Sequence, residues 1–135
     1  MMEVASQDRW GKRRRISLVF LYVVSLIVGT LEGFVMSARP GQVHPNLSVH
    51  TEILAGILFG LGFLWFYTAD ARLVGRPLIE MARLGIFVGW PVGVPIYLVW
   101  ARGVRGLGFL LLHGVGLLFA RVLAMAVMAY IRYNW

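Results

Sequence analysis

The sequence predicts an all-α integral membrane protein with one membrane domain, residues 1–135, and three observations predict it. Hydrophobic residues fill 59% of the 135 positions and charged residues only 14%, against roughly 45–50% and about 25% in soluble domains. A soluble chain this small has too much surface for its volume to hide that apolar excess. The apolar residues also gather in four runs, about 16–36, 52–69, 84–100 and 107–131, without period-two alternation. A bilayer admits only helices or closed barrels, and four such runs cannot close a barrel.

The first run follows a polar stretch ending Lys12-Arg13-Arg14-Arg15. It is longer than the apolar region of a secretory signal, roughly 7–15 residues, so an uncleaved span is expected. Arg39-Pro40-Gly41 and His44-Pro45-Asn46 are turn signals ahead of the second run. Asp70 to Arg76 is a polar link, and Pro77 suits the first turn of the next helix. The third run is short and carries Trp90-Pro91-Val92-Gly93-Val94-Pro95. The fourth is long and holds His113 and Arg121 inside it. The chain ends Tyr130-Ile131-Arg132-Tyr133-Asn134-Trp135, an aromatic and basic edge suited to a membrane interface.

Basic residues decide orientation. Four spans with both termini cytoplasmic place Arg9, Lys12, Arg13, Arg14, Arg15, Arg72, Arg76, Arg83 and Arg132 inside, and Arg39, Arg102 and Arg105 outside. If the third run instead enters and returns, turning at Pro91–Pro95, Arg102 and Arg105 move inside and Arg132 moves out, which improves the bias. Apolar runs of this length usually span, and membrane helices tolerate proline. Four spans is therefore the expectation, with three spans and a re-entrant third segment as the alternative. The expected setting is a bacterial inner membrane or its equivalent.

Two intramembrane charges separate these topologies, because a charge near the bilayer centre needs a partner. Glu32 lies roughly 24 Å above the inner start of its helix, at about 1.5 Å per residue. In the re-entrant arrangement Arg121 lies at roughly 21 Å, and the two can pair. In four spans they differ by about 10 Å or more, and Arg121 must reach the inner interface or another subunit.

Small residues recur every fourth position: Ser25, Gly29, Gly33 and Ser37; Gly56 and Gly60; Gly85, Gly89 and Gly93; Gly116, Ala120 and Ala124. Such ladders let helix backbones approach closely, so packing faces are expected on every segment. His113 is the candidate axial ligand for haem or a chlorophyll-type pigment, with Gly114 leaving room for a ring. His44 and His50 have no third ligand nearby, so no metal site is expected. Asp70 is expected to pair with Arg72, Arg76 or the backbone ahead of Pro77 as an interfacial anchor.

The chain contains no cysteine, which excludes thiolate metal sites, iron–sulfur ligation and cysteine nucleophiles. No nucleophile–base pair and no phosphate-cradling glycine motif occurs. The net charge of +7 gathers at segment ends, where it suits anionic lipid headgroups rather than nucleic acid. These features point to a non-catalytic accessory or structural subunit of a larger membrane complex, with other membrane subunits as partners. Respiratory and photosynthetic complexes are the natural homes for such chains. The alternative is a small oligomeric proton-coupled transporter using Glu32. In having an acid in the first of four short segments, the chain resembles the small multidrug exporters. It departs from them in the late position of that acid and in its basic amino terminus.

Overall fold

The computed structural model describes residues 2–38, 47–75 and 80–134. Five helices follow in order: α1 (Met2–Met36), α2 (Leu47–Leu73), α3 (Glu80–Val88), α4 (Trp90–Arg102) and α5 (Val104–Asn134). Helix makes up 95% of the described residues and none of them is in a strand, so the fold is all-α. Three of the helices, α1, α2 and α5, are long and apolar enough to cross a membrane. Each outruns its apolar run at both ends or at one. Hydropathy marks the stretch that matches hydrocarbon, whereas helical hydrogen bonding continues into the polar region.

The third run differs from the single helix expected over 84–100. It is split at Gly89 into α3 and α4, so the described residues contain no fourth helix of spanning length. The local cause is the Gly89-Trp90-Pro91 sequence. Pro91 has no N–H to give to a preceding turn, and its ring disfavours helical backbone at Trp90 as a continuation of α3. Pro91 instead takes its favoured place in the first turn of α4. The Gly89 carbonyl starts the new helix by accepting from Gly93 N–H at 2.7 Å. The break therefore falls before the proline pair, and Pro95 sits inside α4 without ending it.

Side-chain contacts fix the directions of the helices. Along α1 and α5 the contacts advance together, from Tyr22–His113 through Glu32–Arg121 to Phe34–Arg132, so these helices run parallel. α2 runs against them, with Phe20 on Trp65 and Arg14 on Asp70. The α3–α4 hairpin follows α2 inward. Its tip meets the middle of α2, where Trp90 stacks on Phe59 and Phe63. α4 then returns past Tyr67 to Asp70 through Tyr97 and Arg102. From Asp70 to Phe59 is roughly 16 Å of helix rise, about half a bilayer core.

Close backbone approaches hold this arrangement. A Cβ placed on Gly29 would fall on the Arg121 carbonyl oxygen, and one on Gly33 on that of Met125. Gly60 lies against Phe87, Gly116 against the Tyr22 hydroxyl, and Gly93 against Gly85 and Ile86. Gly106 packs on the Leu98 carbonyl just after Gly103, whose φ of 56° is the left-handed turn that joins α4 to α5. Gly56 and Gly85 meet nothing within 4 Å, and Gly89 meets only the Gly85 carbonyl at 3.1 Å. Ala120 is half-buried. The core is Leu21, Val24 and Val28 of α1, Phe59, Phe66 and Tyr67 of α2, and Val94, Tyr97 and Leu98 of α4.

These contacts rank the glycines. Gly29→Leu should destabilise the protein by about 1–3 kcal/mol, because α1 and α5 cannot separate without strain. Gly56→Leu should leave it unchanged. Thermal unfolding of both variants in one detergent measures the difference, and equal melting temperatures would place Gly29 on a lipid face.

Candidate functional site

Among the described residues, two ion clusters and an aromatic-walled cavity gather polar groups of the helical interior. The first cluster joins α1 to α5. Arg121 Nε donates to Glu32 Oε2 at 2.8 Å, and Arg121 Nη2 donates to Glu32 Oε1. Both carboxylate oxygens are thus taken by one guanidinium in a fork geometry. Gly29 makes this possible, since only a residue without a side chain lets the Arg121 backbone come so close. About three turns further along α5, Arg132 Nη1 donates to the Phe34 carbonyl at 2.9 Å and its guanidinium lies over the Phe34 ring.

The second cluster surrounds Asp70, which is fully buried. Arg102 donates to it through Nε at 3.0 Å and through Nη2, Arg14 Nη1 donates at 3.3 Å, and the Tyr97 hydroxyl donates at 3.4 Å. The carboxylate therefore ties α1, α2 and α4 together at one end of the bundle. The expected local partners do not hold it. Arg72 lies 5.3 Å from the centre of the Trp10 ring, beside Arg13 at 4.8 Å, and Arg76 lies outside the described residues. Residues on separate helices satisfy a buried carboxylate here because α2 directs Asp70 into the bundle, away from Arg72.

Between the clusters is a cavity of about 250 Å³, just below the usual range of ligand pockets, roughly 300–1,000 Å³. Phe59, Phe63, Phe66, Trp90 and Phe109 form much of its wall, and Ser25, His113 and Arg121 also line it. His113 is engaged on one side, with Nδ1 3.3 Å from the Tyr22 hydroxyl, and its ring centre is 4.2 Å from that of Phe109. Ser25 is an anomaly. Ser17, Thr30, Ser37, Thr51 and Thr68 each donate to a carbonyl of the preceding turn. The buried Ser25 Oγ has no hydrogen-bond partner among the described residues.

Of the residues singled out by sequence, Glu32, Arg121, Gly29 and Gly33 meet at one place, and His113 lies further along the same α1–α5 seam. Gly56 stands apart from any close approach, and Gly85 takes part only through its carbonyl, which faces Gly89 and Gly93. His44 lies outside the described residues. Tyr22, Tyr97 and Arg102 were not singled out, although all three complete polar contacts. The residue counts offered a signal for Arg102, which reaches the end that holds Asp70 only if the third run returns. Comparison of the chain with protein-family models, curated proteins and solved structures finds no match.

The Asp70 cluster predicts a large asymmetry between variants. Asp70→Asn leaves two guanidiniums facing each other around a buried amide and should cost about 2–3 kcal/mol, less than for fully buried pairs because both arginines are partly exposed. Arg72→Ala should stay within about 0.5 kcal/mol. Thermal or denaturant unfolding in detergent compares them, and a neutral Asp70→Asn would remove the cluster from the stability of the bundle.

Proposed function

We propose that the chain is a non-catalytic subunit of a larger membrane assembly, built from three spans and a re-entrant hairpin. One observation carries this reading: the intramembrane acid is closed. Both oxygens of Glu32 are held by Arg121, as suits a structural pair more than a carboxylate that must load and unload protons. The outer surface supports the same reading. α5 buries only Gly106 and Leu117 within the fold, and Leu112, Val115, Leu118 and Phe119 lie more than 60% exposed. Such a face suits lipid or a neighbouring subunit's helix.

In this reading the amino terminus is cytoplasmic and the carboxyl terminus lies on the opposite side. The hairpin brings Arg102 back beside Arg14, which gathers the basic residues at one face as the positive-inside bias favours. Arginines at that end are placed for anionic headgroups.

Mild solubilisation of the native membrane followed by affinity purification tests the subunit role. The chain should emerge in fixed stoichiometry with other membrane polypeptides. Isolation as a homodimer that binds lipophilic cations would overturn the proposal in favour of the transporter. Topology is tested with single cysteines, since the native chain has none. A cysteine added after Trp135 should react with an impermeant reagent in intact cells, whereas Arg105→Cys should react only after lysis. The reverse pattern at the carboxyl terminus would restore four spans.

A further inference from the structure

We propose that the cavity between α1, α2, α4 and α5 binds one lipophilic molecule with a planar, carbonyl-bearing ring, of the quinone class, entering from the bilayer. The argument starts from the Ser25 hydroxyl. It is buried, lines the cavity and has no hydrogen-bond partner among the described residues, although a helix offers every serine a carbonyl one turn back. An unpaired hydroxyl in a dry site costs on the order of 1–3 kcal/mol, so such a group marks a place where a ligand supplies the missing partner.

The other polar groups set the chemistry of that partner. When the Tyr22 hydroxyl donates to His113 Nδ1, the neutral imidazole carries its proton on Nε2 and becomes a donor there. Arg121 can only donate, and Glu32 already accepts from it. Ser25, His113 and Arg121 thus make a lining rich in donors, which calls for an acceptor. The acceptor must be uncharged, because Glu32 already neutralises the guanidinium. A carbonyl oxygen meets both conditions.

The walls set the shape. Phe59, Phe63 and Trp90 stand nearly parallel, with interplanar angles of 21–29°, and Phe66 and Phe109 are within 16° of parallel. These rings stack on one another with centroids 5.2–6.3 Å apart, and the flat apolar wall they make favours a flat ring laid against it over a flexible chain. The volume of about 250 Å³ suits a single ring system. Exposed Pro91, Gly114 and Leu118 line the cavity on its outer side, where α4 and α5 diverge from their shared turn at Gly103. Gly114 adds no side chain there, and a tail can leave through this mouth into lipid.

The test uses the purified full chain in detergent micelles and a short-tailed benzoquinone, read by quenching of tryptophan fluorescence. Quenching should saturate, and Trp90→Phe should remove most of it. Ser25→Ala should weaken the apparent affinity about three- to tenfold, the worth of one hydrogen bond, while the melting temperature of the ligand-free protein stays the same or rises, because an unpaired hydroxyl is removed. His113→Leu should weaken it similarly. Quenching that rises linearly with quinone, or is identical in Ser25→Ala, would mean partition into the micelle and overturn the proposal. Displacement by equimolar diacylglycerol, which carries ester carbonyls but no ring, would show a site for lipid carbonyls in general and overturn the ring assignment.

Discussion

A carboxylate and a guanidinium within hydrocarbon must find each other, and the rest of this fold is consistent with that single requirement. Glu32 and Arg121 meet only if their helices run parallel, because parallel helices put both residues at one depth. Parallel α1 and α5 in turn require an odd number of full crossings between them, which is an even number of reversals. α2 supplies one return, and the α3–α4 hairpin supplies a pair of half-crossings that cancel. The glycine approaches are subordinate to the same requirement. Gly29 and Gly33 bring the α5 backbone close enough for a short, two-pronged contact.

The Asp70 cluster answers the problem created at the other end. The described residues of α3 and α4 are each too few to cross a bilayer core, so the α3–α4 hairpin has to be held to the bundle by its own contacts. Arg102, at the last turn of α4, binds the carboxylate that α2 presents, and Arg14 of α1 binds it as well. Three helices are thereby fixed at one level. Burying such a group is costly unless its lone pairs are filled, and here two guanidiniums and a phenol fill them. The tip is held differently, by stacking of Trp90 on Phe59 and Phe63, as suits the dry middle of a membrane.

Much of this was legible in the residues. Apolar runs located the long helices, because hydropathy and span length are linked by simple geometry. The depths of Glu32 and Arg121 identified the arrangement in which they pair, although the base rate for apolar runs favoured four spans. The break at Gly89 was harder to place. Pro91 and Pro95 both signal a bend; the glycine just ahead of Pro91 favours the first, and packing of Trp90 on α2 holds the break there. The Asp70 partners were hidden for a similar reason. Arg72 is near in sequence, but it lies on a different face of α2, and the true partners are 32 and 56 residues away. The empty Ser25 hydroxyl could not be read from sequence at all, since a helical serine normally bonds to its own backbone.

The central claim is that α1 and α5 run side by side in the same direction. A pair of cysteines tests it directly. The Arg132 guanidinium lies 4.1 Å from the centre of the Phe34 ring, so these two positions are neighbours on α5 and α1 and neither is a glycine of the seam. Phe34→Cys combined with Arg132→Cys, treated in intact membranes with a short bifunctional thiol reagent and analysed by mass spectrometry of the monomer, should show a cross-link within one chain. Four antiparallel spans would hold these positions near opposite faces of the bilayer, so thiols that react separately without a cross-link would contradict the account.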